Sequence, residues 1–371
     1  MVRSHPSTPR TAALLAATLL LGLSGCASLG YYWQSVNGHL QLMNAARPID
    51  DWLQDSDTPD KLKARLALTQ QIRRFAVSEL KLPDNASYQR YADLRRKAVV
   101  WNVSAAPEFS LTLHTWCFPV TGCVGYKGYF DEAQARAEAD KLSAQGLEVS
   151  VYGVPAYSTL GWMNWAGGDP LLSTFIGYPE GELARLIFHE LAHQVVYAAG
   201  DMDFNESFAT AVERLGSARW LDTHGSAAVR KEYALYSERR QQFRTLTLGL
   251  RRELSEIYEP KTAPAPDRRG QAAMKSIAMQ AFHTRYAALK AGWDGYAGYD
   301  PWVARTNNAS LGALAAYDEL VPGFEALFAR EGSNWPRFYD AVRRLAALPK
   351  QERHDALRPS ITTKTEETPD G

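Results

Sequence analysis

The chain has 371 residues, with 41 basic and 41 acidic side chains, a formal net charge of +0 and 46% hydrophobic residues. That length suits one large domain or two small ones, and the sequence shows no internal repeat. No basic block stands out, which excludes nucleic acid as an expected partner.

In chain order, Arg3, His5 and Arg10 form a weakly basic start to an apolar run from Ala12 to Leu23. The run is short for a membrane span and reads as a signal peptide. It ends in Leu23-Ser24-Gly25-Cys26, which resembles the lipobox cut by the bacterial lipoprotein signal peptidase. The resemblance implies that Cys26 becomes the acylated first residue of the mature chain, although an ordinary secretory signal with an incidental Cys gives the same composition. Ala27 stands where inner-membrane lipoproteins carry Asp, so an outer-membrane anchor facing the periplasm is expected. Acylation with more than one chain gives stable attachment.

Tyr31 to Ala46 has Val36, Leu40 and Met43 at helical spacing before Pro48 breaks the pattern. Asp57 or Thr58 caps a helix opened by Pro59 and running to about Leu80. Tyr88 to Val100 is expected to continue as helix. Phe109 to His114 alternates like a strand, Asp131 to Gln145 is an Ala-rich helix, and Leu147 to Val154 alternates again. Cys117 and Cys123 remain as a pair once Cys26 is set aside. An oxidising compartment favours a disulfide between them, worth roughly 2 kcal/mol in the chain-entropy model. The rival reading groups His114 with both cysteines as a second metal site, but no fourth ligand is near in sequence. The order strand, helix, strand, with helical regions on either side, predicts a mainly helical α+β fold with a small mixed sheet.

The next element carries the chemistry. Pro179, Glu180 and Glu182 suit a helix start, and Leu183, Leu186, Ile187, Leu191 and Val195 form an apolar stripe up to Gly200. On that helix His189 and His193 lie four apart and present two imidazoles to one point, a geometry that suits one zinc ion. Glu190 between them is placed as general base. With 8 His in the chain, about 0.01 accidental H-E-x-x-H matches are expected. Asn205 to Glu213 then reads as a second, antiparallel helix, on which Glu206 and Glu213 are seven apart and can both face the histidines. One of them completes the ligand set.

H-E-x-x-H followed by N-E-x-F-A resembles the gluzincins, the zinc peptidase clan of the alanyl aminopeptidases and leukotriene hydrolase. The resemblance implies Glu206 as third ligand and Glu213 as a supporting group. Glu206 follows His193 by 13 positions, a shorter step than is usual in that clan, so Glu213 stays open as the alternative ligand. A wider resemblance rests on Ala106-Pro107-Glu108-Phe109-Ser110, Trp116-Cys117-Phe118-Pro119, Gly122-Cys123, Tyr126-Lys127-Gly128-Tyr129-Phe130, Ala156-Tyr157-Ser158-Thr159-Leu160-Gly161-Trp162 and Asn307-Asn308-Ala309. These blocks look like a bacterial family described as putative aminopeptidases. A zincin-like catalytic domain is implied, with an edge strand beside the motif helix that pairs with the substrate backbone; Leu172 to Tyr178 is the candidate.

Beyond Gly216, Ala227 to Tyr258 is a long amphipathic segment, broken by Lys261 to Pro266 and resumed from Gln271 to Leu289. The two are expected to form a hairpin over the catalytic region, with Arg239-Arg240 and Arg251-Arg252 on a solvated face. The expected division is thus a signal peptide at 1–25, an N-terminal helical region at 26–105, a catalytic core at 106–216, a helical region completing the cleft at 217–349 and a disordered tail at 350–371.

The motif implies hydrolysis of a peptide bond, with Glu190 taking a proton from the attacking water and returning it to the leaving amine. The developing oxyanion needs a second electrophile, for which Tyr157, Tyr299 and Tyr317 are candidates. Asn307 and Asn308 can bind a substrate terminus or backbone, or cap the helix ahead of Ser310. Glu108 is a conceivable anchor for a free amino terminus. Three readings follow: an aminopeptidase acting on peptides or proteins, an envelope endopeptidase, and a non-catalytic lipoprotein in which zinc staples a chaperone or interaction surface.

Overall fold

Residues 30–358 are described by the computed structural model, apart from 119–121, 162–163, 261–263, 265 and 315–319. The signal-peptide run, Cys26, Tyr317 and the end of the chain from 359 lie outside the described residues.

Helix α1 covers 30–45 and buries Leu42 and Met43. Gly38 is required where α1 meets the core, because a Cβ there would stand 2.2 Å from the Phe130 ring. Strand β1 (Arg47–Pro48) follows, then α2 (Ile49–Gln54) and α3 (Asp60–Ser78), whose Leu66, Ile72, Phe75 and Ala76 enter the main core. The helix expected over 88–100 does not form. Instead β2 (Arg90–Ala92) pairs antiparallel with β1 and parallel with β8 (Leu171–Leu172). Tyr88 and Arg95 take left-handed φ values of 63° and 50°, which no helix accommodates. From Val99 onward the β-branched and aromatic run suits a strand.

That strand, β3 (Val100–Pro107), is the centre of the sheet β6-β3-β7. It pairs antiparallel with β6 (Lys127–Tyr129) and β7 (Leu147–Val154). One face carries Val103, Ala105, Tyr129 and Val151 and is covered by α4 (Glu132–Ser143) through Ala135 and Leu142. By register the other face carries Asn102, Ser104, Tyr152, Gly128 and, two residues before Gly128, Tyr126. The strand expected over 109–114 is irregular instead. Pro107 ends the ladder, and Phe109 and Leu111 pack into the cluster of the C-terminal hairpin, so their alternation reflects side-chain burial without strand pairing.

Strands β4 (Trp116–Phe118) and β5 (Gly122–Val124) form a separate hairpin in which Cys117 opposes Cys123, and the two are disulfide-bonded. The thiolates of the rival metal site are therefore consumed, and His114 packs its ring on Trp116 at 4.6 Å. Replacing both cysteines by serine is expected to cost roughly 2 kcal/mol, the loop-closure term for so short a ring; denaturant unfolding of oxidised wild type against the double variant measures it.

The two motif helices, α5 (Glu180–Ala192) and α6 (Met202–His224), are packed side by side through the main core. Helices α7 (Ala227–Tyr258) and α8 (Arg268–Ala291) form the expected hairpin around a second cluster of Phe243, Leu250, Leu254, Ala278, Phe282 and Tyr286. After α9 (Asp300–Val303) and α10 (Asn308–Leu314), the chain returns to the main core. There α11 (Val321–Arg330) and α12 (Trp335–Ala346) stack Phe324, Phe338 and Tyr339 on Phe204 and Phe208 of α6. The tail expected to be disordered from 350 instead begins with α13 (Lys350–Leu357). His354 on it approaches Asp201 at 2.9 Å, and Leu357 is buried against the main core. The sum is the mainly helical α+β architecture expected from the sequence, with small sheets of two and three strands.

Candidate metal centre and active site

Helix α5 begins after Pro179, with Glu180 and Glu182 in its first turn, where the helix dipole favours negative charge. Leu183, Ala184, Ile187, Phe188, Leu191 and Ala192 are all fully buried, which fixes the rotation of the helix and directs His189, Glu190 and His193 toward α6. Asp201 caps α6 by accepting from Phe204 N. The Asn of the N-E pair has a defined task. Asn205 accepts from Ala198 N at 2.7 Å and donates to Ala198 O at 2.8 Å, clamping the short α5–α6 connection and setting the register of Glu206.

The result is a triangle of ligand atoms. His189 Nε2 and His193 Nε2 are 3.2 Å apart; Glu206 Oε2 is 3.4 Å from the first and Glu206 Oε1 3.8 Å from the second. Three ligands at 2.0–2.2 Å from a tetrahedral zinc stand roughly 3.3–3.6 Å apart; the two edges at His189 are close to that span and the His193–Glu206 edge is slightly longer. Glu213 lies outside the triangle. Its Oε2 accepts from His189 Nδ1 at 2.9 Å, a carboxylate–histidine contact that fixes the tautomer leaving Nε2 free for a metal. Glu206 thus stands with the two histidines as a possible ligand group, and Glu213 stands behind the His189 ring.

Electrostatics sharpens these assignments. Burial lowers the proton affinity of both imidazoles. For His193 it prevails and brings the pKa down to about 4, leaving a neutral donor. For His189 the bonds and attraction from Glu206 and Glu213 outweigh it and raise the pKa to about 10, a measure of how strongly this spot favours positive charge. Burial raises Glu213, but Arg185 and His189 overcome it and hold the carboxyl at about 2. Glu190 is raised to about 7, by burial first and then by Glu206, Asp169 and Glu213 against the opposing pull of His189. A carboxyl poised there can both take and return a proton near neutrality.

Two networks extend outward. Glu213 Oε1 meets Arg185 Nη2 at 2.5 Å, Arg185 reaches Glu182 at 3.7 Å, and Glu182 meets Arg240 of α7 at 2.5 Å. Arg240, expected on a solvated face, is thus part of the support of the site. On the other side Gln194, next to His193, donates to Ser87 Oγ at 3.1 Å and accepts from Asn85 at 2.7 Å. Gln194 also approaches the buried Asp169, which Thr159 holds through N–H and hydroxyl.

Several expected participants have their contacts elsewhere. Tyr157 packs against His39 and Phe130, and Tyr299 stacks on Phe243 at 4.0 Å. Asn307 donates to Val149 O and accepts from Ser310 N, the helix-capping role. Asn308 is fully buried and joins Pro107 O, Glu108 O and the Tyr258 hydroxyl. The Glu108 carboxylate pairs with Arg268 on the surface. The segment 173–178 is a run of turns after the two buried residues of β8, because Ser173 to Tyr178 must reverse the chain into α5; it supplies no edge strand.

Three tyrosines not expected from the sequence instead feel the charge of the carboxylates here. Tyr126 is raised by burial and by the nearby carboxylates of Glu206 and Glu190. Tyr197, four residues after His193, is raised by burial and by Glu206, and so is Tyr152, whose hydroxyl bonds to Asn102. Tyr126 alone of these feels both Glu206 and Glu190, and it sits on the sheet face opposite α4. Tyr126→Phe is expected to lower kcat for peptide hydrolysis about 100-fold with little change in KM, the signature of a lost donor to the oxyanion; steady-state kinetics on one short peptide checks it.

A family model described as "Putative aminopeptidase" matches residues 30–357. The chain belongs to that family. The match spans nearly all of the described residues and includes α5, α6 and the C-terminal hairpin. No curated protein and no solved structure matches the chain.

Proposed function

We propose that this family member is a zinc-dependent aminopeptidase of gluzincin type, lipid-anchored at Cys26 in the outer membrane and facing the periplasm. The observation that carries the reading is the triangle of His189 Nε2, His193 Nε2 and the Glu206 carboxylate beside the raised carboxyl of Glu190. Those three residues would hold one zinc ion, which when bound polarises a carbonyl and acidifies water. Glu190 accepts the water proton during attack and delivers it to the departing amine. Glu213 keeps the His189 ring in one orientation, and Arg185 keeps Glu213 ionised. Tyr126 donates to the oxygen that gains charge.

The family description favours amino-terminal trimming over internal cleavage. The Cys117–Cys123 bond is in keeping with an oxidising compartment, and the Leu23-Ser24-Gly25-Cys26 segment supplies the anchor. The test is metal analysis together with a broad peptide library. Close to one zinc per chain with products shortened from the amino end is the expected outcome. Internal fragments would make the enzyme an endopeptidase, and stoichiometric zinc with no hydrolysis of any library member would sink the enzymatic reading.

A further inference from the structure

Helix α1 presents an exposed apolar side. Trp33, Val36 and Leu40, one stripe at helical spacing, are 72%, 54% and 52% exposed, and Tyr32 beside them is 44% exposed. The opposite side is fastened down. Gln34 accepts from Phe130 N, Gly38 lies on the Phe130 ring, and Leu42 and Met43 are buried. Trp165, in the loop before β8, is also exposed, at 83%. The other exposed residues of α1 after Trp33 are Asn37, Gln41, Asn44 and Ala45. No Asp, Glu, Lys or Arg occurs between Arg10 and Arg47, although such residues make up 22% of the chain.

A tryptophan, a tyrosine and two aliphatic side chains displayed on α1 without a single charge are costly in water, yet suit the boundary between headgroups and acyl chains. Lacking basic residues, the face has no need of anionic lipid. We propose that Tyr32, Trp33, Val36 and Leu40 rest in the interfacial layer of a zwitterionic phospholipid bilayer. The proposal draws on the anchor reading in one respect: α1 begins four residues after Cys26, so an acylated Cys26 holds this face at the bilayer. The docked side keeps α1 flat on the membrane, and among the described residues no helix is long and apolar enough to cross one.

The full-length protein, extracted from membranes and reconstituted into phosphatidylethanolamine–phosphatidylcholine vesicles with brominated acyl chains, tests this. Tryptophan fluorescence is expected to be quenched by the bromolipid, with Trp33→Tyr removing part of the quenched component. Leu40→Glu should reduce the quenching severalfold with peptide hydrolysis unchanged. The mass of the amino-terminal peptide decides acylation separately. Acylated, vesicle-bound protein whose Trp33 is not quenched overturns the proposal and leaves the anchor standing. Non-acylated protein that binds and is quenched upholds it and removes the anchor. Absence of both binding and quenching overturns it. Self-association without quenching, abolished by Leu40→Glu, would assign the face to a second copy and likewise overturn it.

Discussion

Glu190→Gln is expected to lower kcat about 1,000-fold while the protein retains close to one zinc per chain. The side chain is not among the triangle of ligand atoms, and the amide is nearly isosteric with the carboxyl, so the packing of α5 should survive. What disappears is the ability to accept a proton. The native carboxyl is suited to that task because burial, with Glu206, Asp169 and Glu213 close by, lifts it to about 7. Turnover and metal content must be measured on the same preparation. Joint loss of zinc and activity would make Glu190 part of the metal cradle, and undiminished turnover would remove it from the mechanism.

The second large effect separates two glutamates that the sequence leaves interchangeable. Glu206→Gln is expected to abolish stoichiometric zinc, because the Glu206 carboxylate is the only oxygen donor in the triangle with the two imidazoles. Glu213→Gln is expected to keep the site but weaken zinc binding about 10- to 100-fold, the usual cost of losing a carboxylate behind a ligating histidine. It should also lower the melting temperature, since Arg185 loses its 2.5 Å partner in a largely buried setting. Competition titration with a zinc chelator gives both affinities, and thermal unfolding gives the second effect. The reverse pattern, with metal lost only in the Glu213 variant, would exchange the two roles.

Much of this centre was legible because helix geometry alone converts H-E-x-x-H into two imidazoles on one face. Long periodic elements were also legible. The α7 pattern from Ala227 to Tyr258 and the β7 alternation from Leu147 to Val154 depend on local burial that repeats at a fixed period. The failures share a physical origin. Residues 88–100 and 109–114 have patterns that fit one element locally, while distant partners decide the outcome: β1 and β8 for the first, the α7–α8 cluster for the second. Tyr126 was invisible for the same reason. Only the pairing of Gly128 with Asn102, and of Asn102 with Tyr152, assigns it to a sheet face. The Tyr126-Lys127-Gly128-Tyr129-Phe130 block carries a family resemblance, and its residues alone attach no chemical role to Tyr126. Asn307 and Asn308 were conspicuous as a pair, yet their amides are engaged with β3, β7 and their own helix.

The chain of charges from Glu213 through Arg185 and Glu182 to Arg240 has a mechanical consequence. Arg240 stands on α7, whereas Glu213 holds the His189 ring. Swinging α7 outward parts Arg240 from Glu182 and leaves Arg185 shared between two mostly buried carboxylates, Glu182 and Glu213. The α7–α8 hairpin is therefore coupled through buried charge to the orientation of the His189 ring, so that removing Arg240 is expected to be felt at a candidate metal ligand on another helix.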